Sequence, residues 1–204
     1  AEAGSGFVKQ TIPSPNELLE RLYLLPVPLL LDSNDTGRDR SMLYYSVGAY
    51  HERWRIGILE YSRDGIYEKV GDIGGATTHG AIVSEIPVSS ADKCFATDDD
   101  LKIQVRLIFG ILNSVTQEQM LNGANAAVVI HSDSRAEVLQ FRDAELGEDG
   151  IYTLSGILRG RRGTDHWARN YVAPAGASFV LLNTKTAGGL FVPLADLGKT
   201  RVYR

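Results

Sequence analysis

Leu154 to Asn170 reads "LSGILRGRRGTDHWARN": an apolar run that ends in three arginines spaced by glycines, followed by Thr164, Asp165 and His166. These residue types suit four chemistries: a phosphate cradle, a nucleic-acid contact, an acid/base pair, or a structural clamp. A phosphate-binding loop needs Gly-Lys-Ser/Thr opening a helix. Here arginine stands at the lysine position, and "TDHWARN" offers no long helical continuation. A nucleic-acid site needs a basic field with stacking aromatics. Arg159, Arg161, Arg162 and Arg169 lie near Trp167, but "DAELGED" and a net charge of -4 oppose such a field. No recognition of nucleic-acid sequence is expected. Asp165 and His166, read as strand neighbours, point to opposite faces, a placement in which two side chains rarely cooperate. The clamp remains. A planar guanidinium suits a tight corner with free carbonyls or carboxylates. We therefore expect Arg159, Gly160, Arg162, Gly163 and Thr164 to form a structural motif, with Arg159 or Arg162 bonded to backbone carbonyls or to a carboxylate such as Glu137.

Other reactive residues are sparse. The single cysteine, Cys94, stands beside acidic residues that raise a thiol pKa, so it reads as a small, partly buried apolar residue. The four histidines, His51, His79, His131 and His166, lack metal-ligand spacing, and neither His-Glu-x-x-His nor Gly-x-Ser-x-Gly occurs. Glu60, Glu85, Asp98, Asp99, Asp100 and Glu137 are the acids from which a glycosidase pair would be drawn, but such a pair is set by spatial separation. Asp98-Asp99-Asp100 reads as a solvated turn. The expectation is a chain without catalytic, cofactor or metal residues. Tyr44, Tyr45, Tyr50, Trp54 and Trp167 are aromatics of the kind that stack on sugars. Trp54 and Trp167 are the candidate contacts to a host surface glycan.

A length of 204 residues with 44% hydrophobic content is enough for one sizeable core, and 23% charge argues against bulk disorder. With one cysteine no internal disulfide forms, so the fold must rest on its core. The longest apolar runs, "LYLLPVPLLL" and "NAAVVI", are too short to span a membrane. The start, "AEAGSGFVKQ", lacks Met and the pattern of a signal peptide, which reads as a piece of a longer chain.

Positions 1–22 read as a linker and a short helix from Pro15 to about Leu22, with Ser14 as N-cap. Beyond them strand signals dominate. "RWRIGILEYS" and "GIYEKVGDI" read as a hairpin about Arg63-Asp64-Gly65. In "LKIQVRLIFG", Leu101, Ile103, Val105 and Leu107 alternate with polar residues and should face inward. Thr116 with Gln119 forms a capping-box pattern, closed by Asn122-Gly123. Asp64-Gly65-Ile66-Tyr67 recurs as Asp149-Gly150-Ile151-Tyr152, suggesting two related hairpins. The expected fold is mainly β: an antiparallel β-sandwich or barrel-like domain with one or two short helices. It would occupy 23–204, either whole or as two subdomains meeting near 110.

Three segments together carry a resemblance: Asn122-Gly123-Ala124-Asn125, the strand Glu137 to Phe141 ending in Gln-Phe, and the corner Leu154 to Thr164. They resemble the tail-tip (baseplate hub) proteins of long-tailed phages and gene transfer agents, from about Leu24 to the end. Ile157 replaces a leucine of the family's corner, and "SDSRAEV" replaces its Gly-rich turn. The resemblance implies a structural virion domain at the tail tip, acting in tip assembly, host attachment and DNA delivery. Its implied partners are other tail-tip proteins and copies of itself. Some relatives carry a glycosidase-like domain elsewhere, but no catalytic residue is attached to this block. The alternatives are a cell-surface glycan-binding module and, behind it, a glycoside hydrolase.

Overall fold

A computed structural model of the chain describes residues 21–25, 27, 40–49, 57–62, 64–132, 135–183, 187–196 and 198–204. Its strands are β1 (Arg21–Leu25), β2 (Arg40–Gly48), β3 (Gly57–Ser62), β4 (Tyr67–Ile73), β5 (His79–Ile82) and β6 (Ile103–Phe109). Then follow β7 (Ala126–Ser132), β8 (Arg135–Leu146), β9 (Ile151–Arg161), β10 (Ser178–Leu181), β11 (Ala187–Pro193) and β12 (Val202–Tyr203). Two short helices interrupt them, α1 (Gln117–Leu121) and α2 (Asp165–Asn170).

Strands β5 to β10 close into a six-stranded barrel in the order β10-β5-β6-β9-β8-β7, every pair antiparallel. Period-2 alternation fills it. Ile103, Val105, Ala127, Val129, Leu139, Phe141, Leu154 and Phe179 form one buried cluster, while Val128 and Val138, of opposite parity, belong to another. Closure leaves this sheet no free edges.

The outward residues of β7, β8 and β10 are covered by a second sheet, β1-β2-β11. Tyr23, Leu25 and Tyr44 pack on Val128, Val138 and Val180. The other face of that sheet, through Tyr45, Val47 and Leu190, packs on Leu59 and Ile73 of a third sheet, β12-β3-β4. The molecule is thus barrel, sheet and sheet. Each such buried side chain contributes roughly 1.5–3 kcal/mol. Strand β8 is buried from Ala136 to Phe141 because the lumen covers one side and the second sheet and α1 cover the other.

One polar joint ties barrel to sheet. His79 of β5 is fully buried, and its Nε2 donates to the Ala49 carbonyl at 2.9 Å. A carbonyl only accepts, so in the neutral ring that burial favours Nδ1 is unprotonated and accepts from the Tyr23 hydroxyl at 2.8 Å. The imidazole occupies the space a Cβ on Gly48 would need, 2.6 Å from that position. Burial lowers the His79 pKa, against the Ala49 bond, and Arg21 adds to the lowering.

Several expectations are corrected. Arg21 and Leu22 belong to β1, not to a helix, because Tyr23 and Leu25 alternate against β2 and the barrel. Positions 15–20 of that expected helix lie outside the described residues. "TDHWARN" is not a strand: Asp165–Asn170 is helical. Cys94 is buried rather than partly exposed. The two Asp-Gly-Ile-Tyr hairpins both form, but β3–β4 lies in the third sheet and β8–β9 in the barrel.

Candidate functional site

The arginine motif lies where β9 leaves the barrel. Arg159 is 1% exposed and Glu137 0%. Arg159 donates twice to Glu137, Nε to Oε1 at 2.5 Å and Nη2 to Oε2 at 2.7 Å, and Nη1 donates to the Pro87 carbonyl at 3.0 Å. The Gly160 amide adds a bond to Glu137 Oε1 at 3.0 Å. Both carboxylate oxygens and three guanidinium nitrogens are therefore engaged, the condition under which a buried ion pair is tolerated. Of the two expected clamps, Arg159 is the one that binds Glu137.

His131 completes the cluster. Its Nε2 lies 3.9 Å from Glu137 Oε2, and neither ring nitrogen has a hydrogen-bond partner. Burial lowers its pKa, against the attraction of Glu137 and with the repulsion of Arg159 and Arg135. The imidazole is held neutral beside an already satisfied carboxylate.

The backbone at this corner re-aims the side chains. Pairing between β8 and β9 shifts between Val138 and Gln140, a β-bulge. Gly160 has φ +60, and a Cβ there would lie 2.5 Å from the Asp165 Cα. Only glycine fits both the angle and the close approach of α2. Arg162 takes φ +56 with a side chain present. Thr164 staples the corner: its hydroxyl accepts from the Val138 amide at 2.9 Å and donates to the Arg161 carbonyl at 2.7 Å.

Past the bulge, Arg161 points to the outside. Its Nε donates to Gln140 Oε1 at 3.0 Å, and Gln140 in turn donates to the Met120 and Ala124 carbonyls at the end of α1. Arg161 and Arg162 line a cavity of about 460 Å³ between the barrel, α1 and the second sheet. Leu121, Val138, Leu182 and the Tyr44 ring give it apolar walls. This is the size of a small-molecule or side-chain recess.

Trp167, a candidate sugar contact, lies on α2 and is half-buried. It packs edge-on to His166 (centroids 4.9 Å) and against Tyr171 (5.3 Å), and the Arg135 guanidinium covers Tyr171 at 4.8 Å. Trp54 lies outside the described residues. His166 bonds Asn170 at 3.1 Å. The candidate acids are dispersed. Glu60 pairs with Arg204 in the third sheet, and Asp99 with Arg142 on the barrel surface. Asp98 accepts from the Asp100 and Leu101 amides, the expected turn, and Glu137 is in the lumen cluster. Among the described residues no group of three or more His, Cys, Asp or Glu side chains is placed to hold a metal ion. Among the described residues no helix is long and apolar enough to cross a membrane.

Glu137 was one of the partners the sequence left open for the corner arginine, beside backbone carbonyls, and Arg159 takes both kinds. His131 was missed. Its signal is parity, two residues beyond inward-facing Val129. The Arg161 recess was also missed, because its walls come from three separate parts of the chain.

Residues 77–180 match the model of one protein family, described as Rcc01698-like, C-terminal. The matched span coincides with the closed barrel and the arginine corner. A search of curated proteins gives no match.

Proposed function

The chain belongs to the Rcc01698-like, C-terminal family, and from that membership we propose that it is a structural domain of a phage or gene-transfer-agent tail tip. The family is consistent with a gene-transfer-agent-related protein. The finer reading is a part of the tip or hub, assembled in the bacterial cell, which works through interfaces and not by catalysis. Its partners would be other tail-tip proteins and copies of itself, and its tasks tip assembly, host attachment and DNA delivery.

The observation that carries this reading is the coincidence of the family match with the barrel. Its lumen is filled by side chains and locked by the Arg159–Glu137 pair, which suits a rigid module. Deleting residues 77–180 in a producing cell tests the reading. The expected result is particles with incomplete tips and loss of DNA delivery. Complete, fully active particles would contradict it.

A second reading, a module for a cell-surface glycan, is favoured by the ring cluster of His166, Trp167 and Tyr171 on α2. Calorimetric titration with host surface polysaccharide would show binding that Trp167→Ala abolishes. An absence of heat at high protein concentration would remove it.

A further inference from the structure

His131 takes no part in the Arg159–Glu137 clamp, although it is buried beside it. It is 6% exposed, and neither Nδ1 nor Nε2 has a hydrogen-bond partner. A buried polar group without a partner works against the fold, so its presence calls for a reason. Among the described residues, the charged groups that face it are Glu137 and Arg135 of β8 and Arg159 of β9. Glu137 Oε2 lies 3.9 Å from Nε2 and already accepts from Arg159 Nη2 at 2.7 Å. Glu137 Oε1 is taken by Arg159 Nε and the Gly160 amide. A proton on His131 would add a second cation beside a carboxylate that one guanidinium already neutralises.

The backbone gives the ring a way out. Ile130 stands opposite Ala136 and Ser132 opposite Arg135, so two steps along β7 match one step along β8. His131 is the extra residue, without a counterpart on β8, which makes it the bulged position of the pair. It is next to last in its strand: β7 ends at Ser132, and β8 begins at Arg135. An in-register residue cannot turn its side chain over without carrying the ladder's parity with it, whereas a bulged residue can. His79 is the contrast. It is equally buried, but both of its ring nitrogens are bonded, and its backbone is in register with Phe109 and Val180.

We propose that His131 is a proton-operated latch: neutral, it packs in the lumen beside Glu137, and protonated, it swings about the bulge into water while the barrel and the Arg159–Glu137 pair stay intact. The movement shifts the β7–β8 hairpin end, on the side of the barrel where Arg161 pairs with Val138 and the chain leaves for α2. Burial, and after it the two arginines, disfavour the charged ring in the closed site against the pull of Glu137. The latch is therefore shut at neutral pH and opens as the pH falls below about 6.5, the ordinary histidine value. It does not depend on the tail-tip reading.

NMR of the full chain in the presence of a neutral gadolinium chelate tests this between about pH 8 and about pH 5, the window in which histidine charges. The shift of the His131 Cε1–H signal reports its protonation, and broadening of the same signal by the chelate reports its exposure. The expected result is a sharp His131 signal at the upper end and a broadened one at the lower end, with one midpoint for shift and broadening. The His79 signal should stay sharp throughout, and the Arg159 Nε–H signal should persist. His131→Phe, which fills the site without a charge, should remove this transition from amide-exchange protection at Ile130 and Ala136. Should that variant fail to fold, the wild-type titration decides alone. A His131 that protonates yet stays sharp, stays neutral and sharp throughout, or is broadened equally at both ends would overturn the latch. So would loss of the Arg159 signal, or broadening that comes only with collapse of the dispersed signals of the whole chain.

Discussion

Arg159 and Arg161 stand two positions apart on one strand and do opposite things. Arg159 is locked in the lumen by Glu137, while the bulge and Gly160 turn Arg161 out to the recess. Removing one partner of a buried pair leaves an uncompensated charge, so Arg159→Met should cost about 3–5 kcal/mol in urea unfolding. Replacing both, Arg159→Met with Glu137→Leu, should recover most of that loss. If the single substitution costs under about 1 kcal/mol, the pair is not what holds the corner. Gly160→Ala meets both an unfavourable φ and the α2 backbone, and should cost about 2 kcal/mol or more by the same assay. An arginine clamp at this corner was legible in the residue types, which left backbone carbonyls and a carboxylate such as Glu137 both open as its partner. Which arginine turns inward was not, since that depends on a one-residue register shift.

Among the elements, α1 was legible in full. Thr116 accepts from the Gln119 amide, and Gln119 returns a bond to the Thr116 amide, the capping box its spacing foretells. Thr116→Ala should destabilise the chain by about 1 kcal/mol, read from the chemical-denaturation midpoint. An unchanged midpoint would mean the helix is held by Met120 and Gln140 alone. Strand β6 likewise follows its alternation, with Ile103 and Val105 buried and Lys102, Gln104 and Arg106 exposed. The elements that differed are those where tertiary contact overrides local pattern. β1 pairs with β2 although leucines upstream repeat at helical spacing, and the brief α2 is set by the Thr164 staple and its docking on Gly160. A six-residue helix carries too few periodic positions to announce itself.

At the scale of the molecule, two buried neutral histidines tie stability to pH. His79 joins barrel to sheet, and His131 sits in the lumen. Burial holds both below the ordinary histidine pKa. The unfolded chain therefore binds protons first. Stability is full above about 6.5 and falls as the pH drops through that value toward the lower folded pKa values, by at most about 1.4 kcal/mol per pH unit for each proton. Thermal unfolding between pH 8 and 5 should show this decline, and His79→Gln with His131→Leu should flatten it. An equally steep decline in the double variant would place the acid sensitivity elsewhere. The β class was legible in the even spacing of short strands, which left sandwich and barrel both open; closure was settled only by the pairing of β10 with β5 and β7. The three-layer stacking was not legible, because it depends on β11 and β12 returning from the chain's end to pair with β2 and β3. Electron microscopy of intact particles with this chain specifically labelled tests directly whether it is a structural domain of a tail tip. Label is expected at the tail tip, and label confined to the capsid or absent from the particle would rule that role out.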